Sequence, residues 1–253
     1  MIASLPMYWR PELVGAHARL WALIRRGLEQ AGIESPAELS SVGDEFTAWC
    51  DPSLVLGQTC GMPYRNTLHG RVTLIGTPDY GLDRCDPGFY RSAIIVRDDD
   101  PRERVEDFAG AVLAYNQSDS QSGYGAAYHH VAPLGFWFDR RVRSGAHIAS
   151  AAAVADGRAD IAAIDAVTWR AIERYEPVAD SLRVIDWTAQ TPGLPYISRL
   201  GADAGAIFAA VEQAIADLGT IDRRDLGIGG LVRIPAEAYL SVENPPPEVT
   251  AEL

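Results

Sequence analysis

The 253-residue sequence contains no lysine: all 22 of its basic residues are arginine. That excludes chemistry built on a titratable amine, such as a Schiff base, a pyridoxal phosphate aldimine, a GxxxxGK(S/T) phosphate loop or a Ser-Lys dyad. Arginine stays charged and grips oxyanions through a planar fork, so cationic groups here serve recognition rather than proton transfer. Cysteine is also scarce. Cys50, Cys60 and Cys85 form no CxxC pair, and an odd number leaves at least one thiol unpaired, so neither a zinc nor a redox motif is present. A Cys50–Cys60 bridge would require an oxidising compartment; small buried apolar side chains are the plainer expectation. The opening residues, MIASLPMYWRPEL, lack a positive region followed by a long apolar run, so no secretory signal or membrane span is read there. On that reading the chain is cytoplasmic as written, or periplasmic as a mature or truncated form.

What is present is ordinary globular composition, 47% hydrophobic and 22% charged, with 34 acidic residues giving a net charge of −12. A core can be buried, and the length suits one large domain or two lobes. The acidic balance argues against an extended nucleic-acid or anionic-membrane surface. No period of 20–50 residues recurs, so no repeat architecture is expected.

Ile2–Leu5 reads as a strand closed by Pro6, and Leu13, Ala16, Leu20, Ile24 and Leu28 fall on one face of a helix over residues 11–31. Further strands are expected at 54–56, 72–75, 93–96, 111–114 and 161–164, between helices such as 148–155 and 204–218. This alternation predicts α/β layers with mostly parallel strands. Two stretches rich in proline, glycine and turn formers, residues 77–90 and 186–197, interrupt strand patterns and read as crossings between lobes. The boundaries are then 1–88 with 190–253 for lobe 1, discontinuous, and 89–189 for lobe 2. The ending ENPPPEVTAEL has no apolar periodicity and reads as a loose tail.

The most informative segment is AVLAYNQSDSQSGYGAAYHH, residues 111–130. An apolar strand runs into Asn116, Ser118, Ser120, Ser122 and Gly123, then into a helix. Such a helix start converges backbone N–H groups, hydroxyls and the positive dipole end on one point, which suits an oxyanion; a Ser-rich N-cap is the plain alternative. In a second segment, residues 140–169, Ser144 is a candidate N-cap, His147 falls in the first helical turn, and strand 159–164 delivers Asp165 at its C-terminal end. A histidine so placed is expected to be a neutral donor, because the dipole lowers its pKa. Other signals are weak. The acidic run at 97–110 has no metal-ligand spacing, His129 and His130 point to different helix faces, and FWFDRRVR at 136–143 fits a surface strand or helix start better than a nucleic-acid site.

Asn116–Tyr124, Ser144–Trp169, the strand Arg91–Asp99 and the opening SLPMYWRPEL together resemble the phosphate/phosphite/phosphonate-binding family of ABC-transporter substrate-binding proteins. The resemblance implies an α/β, two-lobed type 2 periplasmic-binding-protein fold with two interlobe crossings, a central cleft, and closure on a small, phosphate- or phosphonate-like oxyanion for uptake or sensing. Carried onto this sequence, it places the hydroxyl-lined helix start at Ser120, Gln121, Ser122 and Gly123, with Tyr124 following, an anion-contacting histidine at His147 and an aromatic contact at Tyr90. Tyr8 and either Gln58 or Thr59 would face the ligand from the other lobe, and Asp165 lies near the acidic group that receives an amino substituent in aminophosphonate binders. The implied partners are an anionic small molecule and an ABC permease, with no cofactor, metal, nucleic acid or membrane insertion. Family members typically carry Ser-Thr-Ser-Gly where this chain has Ser120-Gln121-Ser122-Gly123 beside Asp119. A carboxylate within about 6 Å would repel an anion by on the order of 3 kcal/mol at an effective dielectric near 20, unless it points to solvent. The alternative is an enzyme on the same fold, similar to cytosolic futalosine-route menaquinone-biosynthesis enzymes, with His147 or His130 as general base and Asp165 orienting it.

Overall fold

In the computed structural model, which describes residues 1–41 and 43–247, the chain divides into two compact units. Unit 1 begins with strand β1 (Ile2–Ser4), helix α1 (Val14–Gln30), the short α2 (Glu45–Trp49), β2 (Leu54–Gln58), α3 (Gly61–Pro63) and β3 (Val72–Asp79). A two-residue strand, β4 (Phe89–Tyr90), carries the chain into unit 2. That unit contains β5 (Ser92–Arg97), β6 (Val112–Tyr115), α4 (Ala126–Val131), β7 (Arg140–Arg143), α5 (His147–Ala155), β8 (Ile161–Asp165), α6 (Ala166–Tyr175) and β9 (Leu182–Trp187). The return strand β10 (Thr191–Pro192) pairs with β4. Unit 1 is then completed by β11 (Tyr196–Arg199), α7 (Ala204–Asp217), α8 (Thr220–Leu226), β12 (Gly230–Val232) and α9 (Ala236–Leu240).

The chain passes between the units at 89/90 and 191/192. The tail differs. Expected in lobe 1, residues 242–247 group with unit 2, where His129 Nε2 donates to the Glu243 carbonyl at 2.8 Å. Residues 248–253, part of the expected loose tail, lie outside the described residues.

The described residues form one five-stranded sheet in each unit, in the orders β1-β2-β11-β3-β12 and β7-β6-β8-β5-β9. The expectation of mostly parallel strands needs correction. Parallel ladders join β1 to β2, and β6 to both β7 and β8, but β11 runs antiparallel to β2 and β3, and β5 antiparallel to β8 and β9. Two of the antiparallel strands share a cause, since β5 and β11, arriving from the crossings, enter their sheets against the local direction; β12 at the sheet edge is antiparallel to β3 as well. Because β6, β7 and β8 are parallel, their C-terminal ends share one edge of unit 2, and β1, β2 and β3 likewise end on one edge of unit 1. That is the edge at which open α/β sheets gather ligand groups.

Helix α1 shows why the sequence folds this way. Leu13, Ala16, Leu20, Ile24 and Leu28 are all buried, with Trp21 beside them, so the stripe read from spacing is the core face. α1 packs on α7, and they meet where neither has bulk: a β-carbon at Gly27 would stand 2.9 Å from Ala210 Cβ. Gly27→Val is therefore expected to destabilise the protein by about 1–3 kcal/mol through overpacking. Urea unfolding should show this as a lower midpoint, with the companion change Ala210→Gly recovering part of the loss. An unchanged midpoint would mean that α1 and α7 tolerate separation.

Candidate functional site

In unit 2, three backbone turns converge on the sheet edge. β6 ends at Tyr115, and the chain turns through Asn116 to Ser120 before helix begins at Gln121. β7 ends at Arg143, and its continuation is tied to that turn: the Ser144 N–H donates to the Tyr115 carbonyl (2.8 Å) and the Gly145 N–H to the Asn116 carbonyl (3.0 Å). The helix starts at Gln121 and His147 are thus held side by side. β8 ends at Asp165, opposite Ser92 at the start of β5.

The first helical turn is wide. Residues 121–125 are wound as a π-turn, with the Gly125 N–H donating to the Ser120 carbonyl at 3.0 Å. Ser120 is the N-cap, its Oγ accepting from the Gly123 N–H at 3.1 Å. That satisfies one of the N–H groups that a helix start leaves without an intrahelical partner. Ser122 sits at the centre: its carbonyl accepts from Ser92 Oγ (3.0 Å), its Oγ lies 3.4 Å from Ser120 Oγ, and the same Oγ is 2.8 Å from His147 Nε2. Gly123 brings these groups together, since a β-carbon there would fall 2.0 Å from Asn116 Oδ1 and 3.2 Å from His147 Cε1.

The histidine is held neutral. Its ring nitrogens are packed away from solvent although the residue keeps some exposure, and burial pushes its pKa down to about 4; its place in the first turn of α5 acts in the same direction. With Nε2 on Ser122, Nδ1 is buried without a hydrogen-bond partner, as is Asn116 Oδ1 nearby. Leaving such groups unsatisfied costs about 1–3 kcal/mol each, so an orphaned pair beside two helix starts is a place for a ligand that hydrogen-bonds.

Not every expected residue has the expected role. Ser120, Gln121, Ser122, Gly123 and His147 do lie together. Asp119 is exposed, where water and salt screen its charge. Tyr124 is a core side chain, its ring 5.1 Å from that of Tyr115 and 5.5 Å from that of Trp137. Asp165 caps α6, its Oδ1 accepting from the Val167 N–H (2.7 Å) and the Thr168 N–H (3.1 Å). The enzyme alternative has Asp165 orient His147 or His130; instead Asp165 caps α6, His147 lies on Ser122 at 2.8 Å and His130 on Asp186 at 3.1 Å. Tyr90 is buried on the crossing strand. Sequence reasoning missed Ser92, which anchors the Ser122 carbonyl and which only its place at a strand end could have marked; Asn116 stands in the turn of the motif but not among the expected contact residues. Cys50 is exposed and Cys60 and Cys85 are half-buried thiols, so neither the bridge nor the buried apolar role holds. Among the described residues no cluster of His, Cys, Asp or Glu could hold a metal ion.

In unit 1, Gln58 ends β2, and its buried Nε2 donates to the Leu194 carbonyl (3.3 Å) and to Tyr80 Oη (3.4 Å). Thr59 is fully buried, its N–H donating to the Pro195 carbonyl at 3.1 Å. Tyr8 meets Tyr80 edge to face, with ring centroids 4.9 Å apart.

Comparison with known proteins places this geometry. A family described as ABC transporter, phosphonate, periplasmic substrate-binding protein matches residues 59–238. No curated protein matches the chain. Among solved structures, XAC2383 from Xanthomonas citri bound to ATP is 17% identical, covers 96% of this chain and 97% of its own, and has a TM-score of 0.71. PhnD1 from Prochlorococcus marinus in complex with methylphosphonate is 13% identical, covers 94% of each chain, and has a TM-score of 0.72. A binding-protein component of an ABC phosphonate transporter from Pseudomonas aeruginosa is 16% identical, covers 91% of this chain and 80% of its own, and has a TM-score of 0.66. These likenesses show the two-lobed α/β fold expected from the sequence.

The buried histidine gives stability a definite pH dependence. His147 has a folded pKa of about 4 against 6.5 for a free ring, so between those values the unfolded chain binds a proton that the folded chain refuses. Stability is then complete above about pH 6.5 and is lost as pH falls toward 4. His17, also lowered by burial, adds with the same sign. Urea midpoints measured from pH 4 to 7 should rise and level off, and His147→Gln should flatten part of that rise. Parallel profiles for the two proteins would contradict the burial of this ring.

Proposed function

The chain belongs to the family of periplasmic substrate-binding proteins of ABC phosphonate transporters, and on that premise we propose that its ligand is a phosphate- or phosphonate-like oxyanion received at the helix starts of unit 2. The family is one of transport receptors rather than enzymes. In this reading the protein works in the periplasm and delivers its ligand to an ABC permease. The observation that carries it is the Ser122–His147 pair at the helix start, which keeps one donor for a ligand: His147 Nδ1–H where Ser122 Oγ–H donates to Nε2, or Ser122 Oγ–H where Nε2–H donates to Oγ.

The chemistry follows from those groups. The hydroxyl of Ser120, the amides of the wide turn and the one donor left over by the Ser122–His147 pair supply hydrogen bonds without a formal charge. An oxyanion is then favoured by dipoles and short donors, each such hydrogen bond to a charged group contributing about 1.5–3 kcal/mol. Gln121 takes the place of the family's hydroxyl without adding charge. Tyr8, Gln58, Thr59 and Tyr90 are expected as ligand contacts from the family resemblance alone. Tyr124 and Asp165 hold the scaffold. Support of another kind comes from two relatives of the same fold, whose ligands, methylphosphonate and ATP, both carry phosphorus oxyanions.

The test is a melting-temperature series with inorganic phosphate, methylphosphonate and sulfate, beside native mass spectrometry of the purified protein for a retained small molecule. A cognate ligand at 100 times its Kd adds about 2.7 kcal/mol, which raises Tm by roughly 5–10 °C for a chain of this size. Ser122→Ala should weaken binding about tenfold, His147→Ala should do at least as much, and Gly123→Ala should abolish it by driving Asn116 and the helix apart. If no phosphorus oxyanion raises Tm and none is retained, or if all three variants bind as the parent does, the reading fails.

A further inference from the structure

The strand-end edge of unit 2 presents donors, with one exception. Asn116 is the first residue after β6, and its backbone carbonyl is engaged by the Gly145 N–H at 3.0 Å, so the turn does not depend on its side chain. The side-chain Oδ1 is buried and makes no hydrogen bond. A β-carbon at Gly123 would stand 2.0 Å from that oxygen and 3.2 Å from His147 Cε1, so the oxygen and the ring border one point at the helix start. Neighbouring N–H groups are taken: that of Gly123 by Ser120 Oγ, those of Tyr124 and Gly125 by the Ser120 carbonyl, and that of Ser144 by the Tyr115 carbonyl.

An amide oxygen can only accept, and it does so whichever of Ser122 and His147 donates to the other. Buried without a donor, it is costly. A bare oxyanion brought against it adds to that cost, because lone pairs then face lone pairs in a place from which water is excluded. One proton on the ligand removes both penalties. A P–OH group donates to Asn116 Oδ1 while the remaining oxygens of the same phosphorus accept from the hydroxyls and amides around them. We propose that Asn116 is a specificity-determining residue, selecting oxyanions that carry a proton on oxygen over fully deprotonated ones such as sulfate. The assignment deepens the oxyanion reading and rests on it.

The ligands' own chemistry supplies the test. Across about pH 6–9 inorganic phosphate keeps a P–OH in both of its charge states, methylphosphonate loses its P–OH at its second ionisation, and sulfate has none. On the protein side, burial holds the His147 pKa down to about 4, so its ring stays neutral throughout. Of the charged groups at this edge, Asp119 and Arg143 are exposed, Arg91 lies over the Trp187 ring at 4.3 Å, and Asp165 caps α6. Any change in these groups would act on phosphate and methylphosphonate alike, so the difference between the two profiles reads the ligand's proton.

Calorimetric titration of the full chain with each of the three anions at several pH values should show methylphosphonate affinity falling about tenfold per pH unit above its second ionisation, and phosphate affinity falling far less. Sulfate should bind at least about tenfold more weakly than phosphate, the effect of one buried acceptor left unpaired. Asn116→Ala, which keeps the backbone bond to Gly145, should bring the anions together: the methylphosphonate profile levels onto that of phosphate, and sulfate gains about tenfold. A ligand-free Tm close to the parent's shows that the variant is folded, and the parent's two profiles decide the matter without it. Three results would overturn the assignment alone: parallel phosphate and methylphosphonate profiles in the parent, sulfate bound as tightly as phosphate, or an Asn116→Ala variant that loses affinity for all three equally. If the parent binds none of them at any pH, the oxyanion reading falls and this assignment with it.

Discussion

The helix beginning at Gln121 can lie against the β6 turn and the start of α5 only because residue 123 has no side chain, a β-carbon there being 2.0 Å from Asn116 Oδ1. That close approach sets the rest of unit 2's edge. It places the Ser122 hydroxyl on the His147 ring, it widens the first turn so that Ser120 caps Gly123 while its carbonyl receives Gly125, and it leaves Asn116 and His147 with polar atoms facing no protein partner. Wide turns of this kind recur at functional positions because they aim a residue that regular helix would turn away. Here the residue aimed is Ser122.

A chain of net charge −12 without a lysine faces an electrostatic constraint if it is to hold an anion. Bare cations are not what this edge supplies. Its donors are hydroxyls, amides and an imidazole that burial keeps neutral, all fixed in place by protein hydrogen bonds. Fixed dipoles need no reorganisation when the anion arrives, and they act at short range, where the screening that weakens the protein's overall negative field has little effect.

Much of this was legible in the sequence. The α1 stripe, the strands and the two crossings follow from apolar spacing and turn residues, because each is a local pattern. Ser120–Gly123 and His147 were legible for the same reason: each lies just after a strand-like run, where the backbone must turn. The antiparallel entry of β5 and β11 was not, since strand direction depends on which neighbour a strand finds rather than on its own residues. Nor was Asp165's task. An acid at a strand end followed by a helix is chemically suited to a ligand and to a cap, and only the Val167 and Thr168 N–H groups decide between them.

The position of β11 also governs the order in which the protein can assemble. β2 and β3 are not hydrogen-bonded to each other; β11 stands between them, and it is made only after the whole inserted stretch 90–191 of unit 2. During synthesis the sheet of unit 2, whose strands all fall within residues 92–187, has every partner available before the sheet of unit 1 does. Until Tyr196–Arg199 emerges, β2 and β3 each present a long apolar edge with unmet N–H and C=O groups, a surface prone to wrong pairing. The half of the molecule that begins the chain is therefore the half that must wait, and its vulnerable interval is set by the hundred or so residues inserted into it.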